Sequence, residues 1–173
     1  MSSADIILQA PGLLTEPKVP LPVFEKSELI EATAWGKAFS FEQIKKMARY
    51  MDVYKVARKT VLFAEGEKRV YLVLIARGHV DVIKFDSNHT PKKITTLGPG
   101  KTIGEMSLID GEPRSASAVA ATEATLLVMT AAHFEALNKA LPGIGLILAL
   151  KIAKQMSQYL RLTSGRLIDH LGE

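Results

Sequence analysis

The fold is decided by the stretch Leu97-Gly98-Pro99-Gly100-Lys101-Thr102-Ile103-Gly104-Glu105-Met106-Ser107-Leu108-Ile109-Asp110-Gly111-Glu112-Pro113-Arg114-Ser115-Ala116-Ser117. Pro99-Gly100 marks a tight turn out of a strand, since proline presets φ and glycine tolerates positive φ. Gly104 lets a backbone come close to another group. Glu105 to Ile109 is long enough for one helical turn, and Asp110-Gly111 stops it. The start of such a turn leaves amide N–H groups unpaired, and unpaired amides hold phosphate. Arg114 then precedes the very small residues Ser115, Ala116, Ser117 and Ala118, which suggest a hollow rather than a filled core. A guanidinium taken out of water needs a partner. A phosphate diester presents two oxygens to its planar fork. Glu105, when ionised, can only accept hydrogen bonds, which suits a sugar hydroxyl. An acid, an arginine and a row of amides this close together fit a ribose phosphate.

Outward from this stretch the pattern is that of short strands. Runs rich in β-branched residues occur at 53–56, 60–63, 70–77, 79–85, 94–97, 114–120 and 124–129. Turn signals separate them at Glu65-Gly66-Glu67, at Gly78 and at the polar 86–90 segment. Regular short strands with glycine-bearing turns predict a mainly β chain, a jelly-roll barrel over 53–130. Helical spacing flanks it on both sides. Residues 23–52 hold two helices, the second opened by Ser40 three residues before Gln43, a capping-box spacing. Residues 131–173 hold a helix capped by Thr130 and a longer one from Pro142 to about Leu162, with a tail at Leu167, Ile168 and Leu171. The first 22 residues, with Pro11, Pro17, Pro20 and Pro22, predict an extended or partly ordered arm.

Bulk composition removes several function classes. Of 173 residues 47% are hydrophobic, enough for a packed core, and none is cysteine. Disulfides, thiolate metal sites and cysteine nucleophiles are therefore excluded. The four histidines, His79, His89, His133 and His170, are scattered and form no metal-ligand pair. No Ser/His/Asp arrangement stands out, so neither a cofactor nor a catalytic set is expected. The N-terminus lacks a basic region and a long apolar run, so it is no secretory signal. No apolar stretch is long enough to span a membrane, which points to a cytoplasmic protein. Net charge is +4, but the excess lies on dispersed lysines and arginines between Lys45 and Arg69 rather than on one recognition element. Direct DNA binding is not expected.

The ordered set Phe63-Ala64-Glu65-Gly66-Glu67, Tyr71 to Val82 joined at Gly78, Leu97-Gly98-Pro99-Gly100, Gly104-Glu105 and Pro113-Arg114-Ser115-Ala116 resembles the cyclic nucleotide-binding domain. This is the family of the catabolite activator protein and the regulatory subunits of cAMP-dependent protein kinase. The resemblance runs from about Phe41 to the final helix. It implies that Glu105 accepts from the ribose 2′-hydroxyl and that Gly104 and Ser107 offer backbone N–H groups. It implies that Arg114 clamps the cyclic phosphate beside the Ser115 N–H, with Ala116 following. Val82, Ile103 and Met106 would form the apolar wall near sugar and base. The C-terminal helix would close over the base as a lid, with Arg161, or a residue near it, stacking on the purine. Ser107 stands where alanine is commoner in the family, and Arg58-Lys59 where many members have glycine. Threonine at the Ser115 position accompanies cGMP preference in the family. Serine suits both bases, so cAMP and cGMP both remain as ligands.

Read singly, Glu105 is a first-turn acid answering a helix dipole, and Arg114 a surface arginine paired with Asp110 or Glu112. Read together, they make a receptor. Because no helix-turn-helix, kinase or channel segment follows within the sequence, the reading is a stand-alone sensor that signals to an effector protein or pairs with a second copy through the C-terminal helix. The alternative on the same fold is an interaction protein whose pocket is empty or holds another anion, such as a cyclic dinucleotide.

Overall fold

The computed structural model describes residues 3–171. Among the described residues, six α-helices and nine strands follow in the order helices, β-rich centre, helices. The helices are α1 (Ser3–Leu8), α2 (Val23–Glu31), α3 (Phe41–Ala48), α4 (Glu105–Asp110), α5 (Ala131–Ala140) and α6 (Pro142–Leu171). The strands are β1 (Lys18–Val19), β2 (Asp52–Val56), β3 (Val61–Phe63), β4 (Tyr71–Arg77), β5 (Val80–Phe85), β6 (Pro91–Leu97), β7 (Thr102–Ile103), β8 (Ser117–Ala120) and β9 (Ala124–Thr130). They form two antiparallel sheets of order β1-β2-β9-β4-β7 and β3-β8-β5-β6, a jelly-roll sandwich.

Alternation along β4 and β9 divides the core in two. Leu72 and Leu74, with Leu127 and Met129, face the helices and pack on Met47, Leu137 and Leu148. Tyr71, Val73 and Ile75, with Leu126 and Val128, face the opposite sheet and pack on Leu62, Val80 and Ala118. Strands covered on both faces carry an unbroken apolar run, as 71–76 does. The capping box forms: Gln43 N–H donates to Ser40 Oγ at 3.3 Å, and Ser40 N–H donates to Gln43 Oε1 at 2.8 Å. Thr130 Oγ1 accepts from His133 N–H at 3.2 Å and opens α5.

In its described part the arm is ordered and packed. Leu13 is fully buried in the inter-sheet core. Lys18 and Val19 add an edge strand to β2, with Lys18 Nζ 2.8 Å from Asp52 Oδ2. Arg69 Nη2 donates to the Pro11 carbonyl at 2.7 Å. The prolines prevent long helix here, yet the Leu13 side chain gains enough by burial to hold the segment down. Arg114 lies ahead of β8 rather than in it, and α6 continues unbroken through the segment read as a separate tail.

Candidate ligand pocket

Gly104 ends β7 in the left-handed region, at φ 82°, and caps α4. A side chain there would run into Arg114 Nη1 and come 2.7 Å from the Tyr71 carbonyl oxygen. Glycine is thus required by both backbone and space. The turn aims the first amides of α4 and the Glu105 side chain into a cavity of about 270 Å³ between the sheets and α6. Glu105 is 6% exposed and Arg114 3% exposed. Two backbone bonds fix the Arg114 loop to the turn after β3: Gly66 N–H donates to Arg114 O at 2.8 Å, and Arg114 N–H donates to Glu67 O at 2.9 Å.

The guanidinium is already ordered. Nη1 donates to Gly104 O at 3.0 Å and Nη2 to Tyr71 O at 2.9 Å. Its Cζ sits 4.1 Å from the Phe63 ring centroid and 4.3 Å from that of Tyr71. Among the described residues, the buried Nε has no partner, and neither has Glu105 Oε2. Burial pushes the Glu105 carboxyl above its ordinary range, opposed by its own backbone N–H, by Gln155 and by the Arg114 charge. The arginine remains charged although burial opposes it, because its intrinsic basicity is so high.

Gly104, Glu105, Ser107, Arg114, Ser115 and Ala116 line this cavity, and Val82, Ile103 and Met106 form part of its apolar wall. The small-residue argument holds for Ser115 and Ala116 only. Ser117 is turned away, its Oγ accepting from Glu65 N–H at 2.8 Å, and Ala118 is packed in the core. Arg161 is exposed and is not among the residues that line the cavity. The turn of α6 presents Tyr159, Leu162 and Thr163 instead. These were legible in the helix: stepping by three or four from Ile144 through Leu148 and Ile152 reaches Met156, Tyr159 and Thr163, and leaves Arg161 off the stripe. Gln155, also missed, ties α6 to β7. Its Nε2 donates to Thr102 Oγ1 at 2.6 Å and to Thr102 O at 3.2 Å.

The sequence profile of the cyclic nucleotide-binding domain matches residues 54–140. The chain belongs to the cyclic nucleotide-binding domain family. A cyclic nucleotide-binding domain from Methylobacillus flagellatus superposes with a TM-score of 0.74 at 32% identity, over 84% of this chain and 82% of that one. The cyclic AMP receptor protein of Thermus thermophilus is 34% identical over 97 residues, 56% of this chain and 45% of that protein. A cyclic nucleotide-gated potassium channel of Rhizobium etli is 39% identical over 84 residues, 49% of this chain and 22% of the channel. The domain thus spans less than half the length of these two curated relatives. Among its described residues no helix is long and apolar enough to cross a membrane.

Proposed function

We propose that this cyclic nucleotide-binding domain is a non-catalytic receptor for a cyclic purine nucleotide, cAMP or cGMP. One observation carries the reading. A cation and a carboxylate, each more than nine-tenths buried, open on one cavity, and each keeps a polar atom without a partner. Leaving such atoms unpaired costs about 1–3 kcal/mol each, and a cyclic ribose phosphate satisfies both. Its phosphate takes the remaining Arg114 N–H groups and the α4 amides. Its sugar hydroxyl donates to Glu105. These groups bind phosphate without supplying a nucleophile directed at phosphorus. Isothermal titration of the full chain with cAMP and with cGMP tests the reading. Saturable binding of either is expected, and absence of heat at millimolar ligand overturns it.

The occupied pocket would signal in the cytoplasm through protein contacts, and α6 carries the surface for them. Leu146, Leu150, Ala153, Ser157 and Leu160 recur at alternating steps of four and three, all exposed, with the leucines 62%, 53% and 69% accessible. That is the spacing of a two-helix seam. Pairing of two copies through this seam predicts a dimer by light scattering that Leu160→Lys dissociates. A monomer in the unsubstituted protein overturns the seam and leaves the receptor reading intact.

A further inference from the structure

Among the described residues, three buried polar atoms in the cavity region lack partners: Arg114 Nε, Glu105 Oε2 and the Tyr159 hydroxyl. The first two have been given ligand groups above. The third is unexplained. Tyr159 reaches the cavity from α6. One turn earlier Gln155 is bonded to Thr102, and one turn later Thr163 Oγ1 donates to the Tyr159 carbonyl at 2.8 Å. Phenylalanine would fill the same space without desolvating a hydroxyl, and an unsatisfied hydroxyl is a cost that needs an explanation.

The chemistry of the two orphans is complementary. An ionised carboxylate only accepts. The phenol is a donor at neutral pH, since burial, with the Glu105 charge beside it, pushes it up to about 12. They nevertheless make no hydrogen bond with each other, because each is without a partner. A group that completes both must donate on one side and accept on the other. Among the polar groups of a ribose phosphate only a hydroxyl does this. The cyclic phosphate oxygens and the ring oxygen accept only.

We infer that Tyr159 is a specificity-determining residue of the sugar subsite, holding the ligand's free ribose hydroxyl between its own O–H and Glu105 Oε2. The inference rests on the proposed function. Its consequence is that the sugar gives the ligand a polar tie to α6. A ligand without that hydroxyl leaves both orphans unpaired and loses its polar tie to α6. The domain therefore rejects deoxyribose ligands more strongly than Glu105 alone would, in the way that a site built to bond a hydroxyl rejects the analogue lacking it.

The test is a two-by-two titration of the full chain: unsubstituted protein and Tyr159→Phe, each with cAMP and with 2′-deoxy-cAMP. Expected are at least a hundredfold preference for cAMP in the unsubstituted protein and a loss of about tenfold for cAMP in Tyr159→Phe. The deoxy ligand should change less than twofold between the two proteins. Equal losses for both ligands would mean that Tyr159 only packs, and would overturn the inference. So would an unchanged cAMP affinity. Equal affinity of the unsubstituted protein for the two ligands, a result independent of how the variant folds, would overturn the sugar subsite while leaving a cyclic-phosphate receptor standing. An unsubstituted protein that binds neither ligand overturns both readings.

Discussion

Arg114 and Tyr71 meet twice: the guanidinium donates from Nη2 to the Tyr71 carbonyl at 2.9 Å, and its Cζ lies 4.3 Å from the ring of the same residue. The main chain and side chain of one strand residue thus hold the arginine from two directions. With Phe63 and Gly104 they order it before any ligand arrives. A preordered donor loses little side-chain entropy on binding.

Arg114→Ala removes the donor and leaves two buried carbonyls unpaired. Cyclic nucleotide affinity should fall about a hundredfold or more, since truncating one partner of a buried charged hydrogen bond costs about 2–5 kcal/mol. The melting temperature should fall as well. Arg114→Lys keeps the charge but loses the fork, and should be intermediate in both titration calorimetry and thermal melting. An alanine variant of unchanged affinity would contradict the clamp.

Gly104→Ala and Gly111→Ala form a matched pair, because both glycines have positive φ at the two ends of α4. A methyl at Gly104 meets Arg114 and Tyr71, whereas one at Gly111 meets nothing within 4 Å. Each carries a backbone strain of about 1 kcal/mol, and Gly104→Ala adds a clash. Thermal melting should show the Gly104 variant to be clearly the less stable, and only that variant should lose affinity.

The raised carboxyl of Glu105 gives a signed pH dependence. Its folded pKa lies above the unfolded one, so the folded chain binds more protons in the window just above the ordinary glutamate value. Stability from this group is present below that window and is lost as pH rises through it. A hydroxyl donating to the carboxylate favours the ionised form, so ligand affinity should rise with pH across the same window. Glu105→Gln should flatten both trends, measured by denaturant unfolding and by titration at a series of pH values.

Leu13→Ala empties a fully buried position between the sheets. Such truncations cost about 2–5 kcal/mol, whereas removal of a side chain from a loose arm would cost almost nothing. Urea unfolding distinguishes the two, and a change below about 0.5 kcal/mol would contradict the packing seen here.

Most of the sandwich could be read from sequence because its strands are β-branched and its turns carry glycine. β7 escaped because two residues are too short to show a period, and β1 because its two residues lie among prolines. The cassette was legible because Gly104, Glu105 and Arg114 are close in sequence and chemically unlike. The carbonyls that hold Arg114 were not, since Tyr71 and Glu67 are brought in by long-range pairing. Cationic stacking points to Arg161 in the sequence, whereas helical phase puts Tyr159 and Thr163 on the cavity.

The profile match covers 54–140, yet Tyr159 stands over the pocket from beyond one limit and Leu13 supports the strands behind it from beyond the other. A recombinant fragment trimmed to the matched residues would therefore keep Glu105 and Arg114 but lose roof and rear buttress together. Weak binding measured on such a fragment would report on the cut, not on the whole chain.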